Sequence, residues 1–282
     1  CFVVLKLARR LMTLPIRFFG VPISQASLSF LSEESAGENR AKFNRLLLQS
    51  LNQIAFFAMP ASVLLLILRV PIIRLIFGTY NFPWKTTVLT GKVVAIIAIS
   101  ITAQAMVQLL VRAFHALKDT KTPFLITIST VAIYLLTAYL AVYEFNLGVL
   151  GLALAISLTA FVELILFVIL LNRKIACFNS KEFWWSQMKM LGASFFMAVF
   201  LYLPFKILDE VVFDTSRTID LIALTISTAS MASLVYVYFS VLFDVKELLY
   251  IRNILQKFGK WREAIEDSSE VLLDSSIENK EV

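Results

Sequence analysis

Only two cysteines occur in the chain, Cys1 and Cys177, with no metal-ligand spacing, and the single histidine is His115. That leaves no disulfide framework, and one imidazole cannot build a metal centre. The eight glycines form no phosphate-cradling loop, and no HExxH helix motif is present. No cofactor, no metal and no covalent chemistry are expected, so the chain does not read as an enzyme. Charge is scarce too: 16% of residues are charged against 59% hydrophobic, and the mean hydropathy is +0.80. A soluble domain of 282 residues could not hide that much apolar surface in one core. There is no initiator methionine, and no basic segment precedes the apolar opening Cys1-Phe2-Val3-Val4-Leu5, so nothing resembles a signal peptide. Cys1 could be the acylated first residue of a lipoprotein, or the chain could open inside a longer one. A lipid anchor is pointless where the chain already spans the bilayer. The second reading is therefore expected, with the first residues as the tail of a helix that starts earlier.

What is abundant is apolar run length. A span needs about 20 mostly apolar residues. The sequence predicts an all-α polytopic transmembrane helix bundle, with about seven complete spans after an N-terminal helix remnant. They are expected near 14–31, 46–68, 88–116, 123–143, 148–171, 187–208 and 219–243, with a short apolar segment at 71–77 extending or re-entering the membrane edge. The first is unusually polar, interrupted by Pro15, Arg17, Gly20, Pro22, Ser24, Gln25, Ser27 and Ser29. Alternate connections are basic: Arg40, Lys42 and Arg45; Lys118 and Lys121; Arg173, Lys174 and Lys181; Lys246 and Arg252. The intervening ones carry Lys85, then Glu144, then Asp209, Glu210, Asp214 and Arg217. The basic set marks the cytoplasmic side, so the C-terminus is expected there. The net charge of +6 is first a topology signal and only second a hint of an anionic ligand. No nucleic-acid partner is expected. Leu248, Ile251, Leu255 and Phe258 recur at helical spacing among Lys246, Arg252, Lys257, Lys260 and Arg262, which predicts an amphipathic helix over 246–265 on the cytoplasmic leaflet. The acidic, serine-rich 266–282 reads as disordered.

Three stretches carry a family resemblance. One is Ala8-Arg9-Arg10-Leu11-Met12-Thr13-Leu14-Pro15 ahead of a polar span. The next is Pro71-Ile72-Ile73-Arg74-Leu75-Ile76-Phe77-Gly78. The third, Arg112-Ala113-Phe114-His115-Ala116-Leu117-Lys118-Asp119-Thr120-Lys121-Thr122-Pro123, joins two spans. In this order they resemble the MurJ/MviN family of lipid II flippases, within the multidrug/oligosaccharidyl-lipid/polysaccharide exporter superfamily. The resemblance covers about residues 5–250. It implies a transporter of the bacterial cytoplasmic membrane with fourteen spans, in two lobes of six plus two C-terminal helices. Its partners would be membrane lipids and lipid II, which carries a pyrophosphate, a sugar–peptide head and a polyprenyl tail. On that frame 1–177 is the second transport lobe, running from the end of span seven to span twelve. Residues 178–245 are the two C-terminal helices, 246–265 the amphipathic helix and 266–282 the acidic tail. A first lobe would be the partner of this one. An exporter of other lipid-linked saccharides or of drugs, and a non-transporting membrane scaffold homologue, remain alternatives.

The expected substrate-binding residues are Arg10, Arg17, Ser24, Gln25 and Arg9. Arg10 matches the arginine of the family's Ala-Asp-Arg-Leu motif, and Arg9 stands where that motif has aspartate. Guanidinium stays charged and offers a planar fork to phosphate oxygens. Arg17 follows Arg10 by seven residues and Ser24 follows Arg17 by seven, which puts all three on one face of a continuous helix. Pro15 and Pro22 put that continuity in question. Glu163 lies inside an apolar run and needs a partner or a proton. It is expected to pair with Arg112 or to act as a protonation switch. Tyr134 and Ala138 stand at span-eleven positions that hold amide or acidic side chains in some relatives, and neither is a good hard-cation ligand. Arg74 and Lys92 are expected at the outer interface. Thr225, Ala229 and Ser233 are expected to pack the last span closely, with Phe195, Phe196 and Phe200 near a lipid tail.

Overall fold

The computed structural model describes residues 2–36, 40–77, 84–179, 181–207 and 218–248. Of the amphipathic helix expected over 246–265, everything from residue 249 on lies outside the described residues, as do the acidic tail and the connection holding Asp209 and Glu210. Hydrocarbon offers no partner to a backbone N–H or C=O, so so apolar a chain pairs its backbone within each segment, as helix. In order these are α1 (Phe2–Pro15), α2 (Val21–Ala36), α3 (Arg40–Ile67), the short α4 (Arg69–Phe77), α5 (Trp84–Ala98) and α6 (Ile101–Ala116). They continue as α7 (Lys121–Tyr139), α8 (Gly148–Ile175), α9 (Lys181–Ile207) and α10 (Thr218–Leu242). The all-α membrane bundle expected from the sequence is what forms. Arg40–Ile67, Lys121–Glu144, Gly148–Ile175 and Asp220–Leu242 are each long and apolar enough to cross a bilayer, and α5 with α6 adds another if that bent pair is one span.

The expected division between an N-terminal remnant and a first span at 14–31 does not hold. α1 runs through a π turn, Ile16–Gly20, straight into α2. The whole helix rises about 52 Å at 1.5 Å per residue, more than the roughly 30 Å of hydrocarbon it would cross. Two prolines bracket the turn. A proline has no N–H, and its ring clashes with the carbonyl four residues back, so no α-type bond can run from Pro22 to Phe18. Val21 N–H donates instead to the Ile16 carbonyl, five residues back, and the wide turn absorbs one extra residue. Gly20 lets α6 close on this turn: a Cβ there would lie 3.2 Å from Ala105 Cα. The span expected at 88–116 is also altered, since α5 and α6 meet at 46°. Ser100 sits in the break. Its hydroxyl donates to the Ile97 carbonyl at 2.8 Å and accepts from Gln104 Nε2 at 3.0 Å.

α3 and α6 form the centre of the bundle, with Leu47, Leu51, Ile54 and Phe56 of α3 and Ile101, Leu109 and Phe114 of α6 all fully buried in one core. α2 and α8 pack on α6, α7 packs on α8, and α9 bridges α3 to α10. Two hydrogen bonds lock that bridge: Gln187 Nε2 donates to Asn52 Oδ1 at 2.8 Å, and the Tyr236 hydroxyl donates to the Phe56 carbonyl at 2.9 Å. The buried face of α10 is Leu224, Thr228, Ala232 and Tyr236. The stripe expected at Thr225, Ala229 and Ser233 is displaced from it by one residue, and Ser233 is exposed. Small residues recur at several phases of this helix, so their spacing alone does not select the packed one.

The connection between α6 and α7 is a structural clamp. Asp119 Oδ1 accepts from Thr122 N–H at 3.1 Å, and its Oδ2 accepts from the Thr122 hydroxyl and from Lys174 Nζ, each at 2.7 Å. It thereby starts α7 and ties it to the last turn of α8. Asn44 Nδ2 of α3 donates to the Ile175 carbonyl at 3.2 Å, adding a third element to the same end. The Lys174 ammonium, and then the Thr122 hydroxyl and N–H, hold the Asp119 carboxyl well below the usual carboxylate range. A carboxylate whose folded-state value is depressed adds stability above its unfolded value, about pH 4, and loses it as pH falls toward the depressed value. Asp119→Ala is expected to cost about 1 kcal/mol at pH 7, as loss of a helix-starting cap does. The deficit should shrink progressively below pH 4. Thermal unfolding in detergent at pH 7 and pH 2 measures this, and an undiminished deficit in acid would contradict it.

Candidate functional site

The wide turn decides which side chains of the long α1–α2 helix share a face. On an unbroken α-helix a seven-residue repeat would align Arg10, Arg17 and Ser24. One extra residue rotates everything after the turn by about 100°. Ser24 is accordingly 0% exposed, its hydroxyl donating to the Val21 carbonyl at 3.0 Å. Gln25 takes its place: Lys6, Arg10, Arg17, Gln25 and Ser29 are all exposed and follow one stripe. The expected triplet is corrected to Arg10, Arg17 and Gln25. A guanidinium near the bilayer centre costs about 3 kcal/mol when it faces lipid, so this stripe calls for water or protein against it.

Four helices line an open cavity of about 320 Å³ beside that stripe, with polar side chains in its wall. α1 contributes Arg9 and Met12, α6 Gln104 and Gln108, α7 Thr127, Thr130 and Tyr134, and α8 Thr159 and Glu163. On each helix these residues recur three or four apart, the spacing of one face. Gln104 Nε2 lies 3.3 Å from Met12 Sδ. The Thr130 and Thr159 hydroxyls donate within their own helices, to the Thr127 and Ala155 carbonyls. Arg9 lines the cavity while itself exposed, and Arg10, about 100° further round the helix, lies on the exposed stripe. Glu163 also lines the cavity, but the expected Glu163–Arg112 pair is not made: neither residue forms an ion pair among the described residues, and Arg112 is not part of the lining. Tyr134 lines the cavity and Ala138 does not. Sequence reasoning singled out Arg9, Tyr134 and Glu163 and missed Gln104, Gln108, Thr127, Thr130 and Thr159. The signal was available as polar residues at helical spacing inside apolar spans, with nothing to say that the three spans converge.

A second cavity, about 490 Å³, lies between α3, α6, α8 and α9 and is apolar, with Met106, Leu110, Phe161, Leu164, Leu191 and Phe195 in its wall. Of the three phenylalanines expected beside a lipid tail, only Phe195 lines it. Phe196 and Phe200 turn to α10, with ring centroids 4.7 and 5.5 Å from that of Phe239. Arg74 places its guanidinium 5.7 Å from the Trp84 ring centroid, a cation–π contact typical of an interfacial residue. Cys177 is buried in the turn after α8, and burial pushes its thiol up to about 12, which leaves it inert.

Comparison with known proteins bears on this arrangement. The family model described as lipid II flippase MurJ matches residues 1–219. A probable lipid II flippase MurJ of Thermotoga maritima is 32% identical over 179 residues, 64% of this chain and 36% of that protein. The lipid II flippase MurJ of Thermosipho africanus is 31% identical over 159 residues, 56% of this chain and 32% of that protein. The chain therefore spans about a third of the length of the curated relatives it matches. A solved lipid II flippase MurJ in an inward closed conformation superposes with a TM-score of 0.66 at 24% identity, covering 86% of this chain and 46% of that one, which establishes the shared fold.

The rotated register has a direct readout. In a background lacking both native cysteines (Cys1→Ser with Cys177→Ser), Arg17→Cys and Gln25→Cys are expected to react with a water-soluble maleimide, while Ser24→Cys stays unmodified until the protein is unfolded. Equal labelling at 24 and 25 would contradict the register.

Proposed function

The chain belongs to the MurJ family of lipid II flippases, and on that basis we propose that it moves lipid II across the bacterial cytoplasmic membrane by alternating access, its α1–α2 stripe lining the path of the headgroup. The observation that carries this reading is the exposed row Arg10, Arg17 and Gln25 on a helix otherwise bounded by apolar spans. A pyrophosphate crossing hydrocarbon needs its hydration replaced, and fixed guanidinium groups supply charge and a matching fork. Alternating access needs two bundles that rock about a shared site. The stripe is where residues 1–177, acting as one lobe, would face the other. Residues 178–245 supply the two further helices, and the apolar cavity against α9 suits the polyprenyl tail. The basic groups Arg40, Lys42, Arg45, Lys118, Lys121 and Arg173 belong to the helix ends joined by the Asp119 clamp, which supports a cytoplasmic assignment for that side and for the C-terminus.

The test is complementation of a bacterium depleted of its own lipid II flippase by the natural gene encoding this chain. Arg10→Ala and Arg17→Ala are each expected to reduce rescue about tenfold or more, the scale of one lost charge-assisted hydrogen bond. Arg10→Lys should retain part of the activity, with membrane insertion normal throughout. Full rescue by the double alanine variant would sink the assignment of the stripe. A wild-type gene that inserts but fails to rescue would favour the non-transporting scaffold.

A further inference from the structure

Arg9 of α1 and Glu163 of α8 line the same cavity, and neither forms an ion pair among the described residues. Arg9 is exposed, but Glu163 is half-buried within an apolar span, where an unpaired carboxylate is costly. The arrangement becomes cheap in only two ways: the charges meet, or the carboxyl takes a proton. The guanidinium cannot be the group that neutralises, since it does not deprotonate in proteins. The carboxyl can be accommodated when neutral, because the cavity offers the carboxamides of Gln104 and Gln108 and the Tyr134 hydroxyl as partners. The charged and titratable groups facing Glu163 are few. α1 presents Arg9, α7 presents Tyr134, and α6 presents only the neutral glutamines. α5, the π turn after α7 and the turn after α8 contribute no residue to the lining. Arg112, though on α6, stands outside it.

Arg9 also adjoins Arg10, on the exposed stripe. Arg9 both lines the cavity and is exposed, which makes the Glu163 carboxylate and an anion bound at the stripe alternative partners for its guanidinium. We propose that Glu163 is the internal counter-ion of Arg9, and that an anionic phosphate ligand on the stripe draws Arg9 away so that Glu163 takes up one proton from water. The ligand step rests on the flippase reading above, whereas the link between Arg9 and Glu163 does not. One proton is gained for each ligand bound, and no other bond changes. Binding is therefore favoured at low pH and weakens as pH rises, because an ionised Glu163 competes for the guanidinium.

Infrared difference spectra of the full chain in lipid vesicles test this. The carbonyl stretch of protonated Glu163 is the band lost in Glu163→Gln, or shifted in Glu163→Asp should the glutamine variant not insert. Its titration midpoint is expected to rise by about one pH unit or more in Arg9→Gln, the effect of removing a nearby opposite charge. It should stay in place in Arg9→Lys and in Arg112→Gln. Farnesyl pyrophosphate added to wild type at fixed pH is expected to increase the band, while sodium chloride at equal ionic strength does not. A midpoint indifferent to Arg9→Gln, or one that moves with Arg112→Gln instead, overturns the pairing. Farnesyl pyrophosphate that binds without raising the band overturns the proton link and leaves the flippase reading intact. Absence of farnesyl pyrophosphate binding overturns both the ligand step and the assignment of the stripe, while a midpoint that moves in Arg9→Gln would still establish the pair.

Discussion

The wide turn at Ile16–Gly20 sets the arrangement on which the candidate site depends. Pro22 cannot donate to the carbonyl four residues back, so the helix opens by one residue there and continues. The turn survives because Gly20 has no side chain and Ala105 of α6 can lie against it. That contact docks α6, and with it Gln104 and Gln108, beside α1. The same insertion rotates α2, so that Gln25 continues the stripe of Arg10 and Arg17 and Ser24 goes into the packing. A single backbone irregularity thereby decides which polar residues of α2 continue the exposed stripe and which enter the packing.

The second organising constraint is the cost of charge away from water. At the basic end of the bundle, Lys174 meets Asp119 and three elements are held together. Toward the other end, Arg74 rests over Trp84. Between the ends, Arg9, Arg10 and Arg17 of the α1–α2 helix and Glu163 of α8 line a cavity or an exposed stripe rather than the packed core, while Lys92 of α5 is exposed and Arg112 of α6 half-buried. Helices without such groups turn broad apolar surfaces outward, as α7 does with Leu125, Ile128 and Leu135, all more than half exposed. For a bundle solvated by lipid this exposure is the expected state.

Much of this was legible in the residues. Run length and composition predicted the all-α membrane bundle, although only four described helices, or five with the bent pair, are long and apolar enough to cross a bilayer against the seven spans expected. The stretch from Arg112 to Pro123 predicted both the family and the start of α7. Three things were not. The continuity of α1 with α2 was obscured by prolines that ordinarily end a helix, the packed phase of α10 by small residues at several phases, and the surroundings of Glu163 by the helix rotations that put Arg9, and not Arg112, in the same cavity.

The sequence by itself determined that this chain is a membrane helix bundle and that its charges had to be exceptional. Both follow from transfer energies, which are properties of each residue and its immediate run. Only the tertiary structure decided which of those charges share a cavity. That depends on the rotation of each helix about its axis and on which helices touch, and a one-residue change of register, such as the turn after Pro15, moves a side chain by about 100° without altering any local signal.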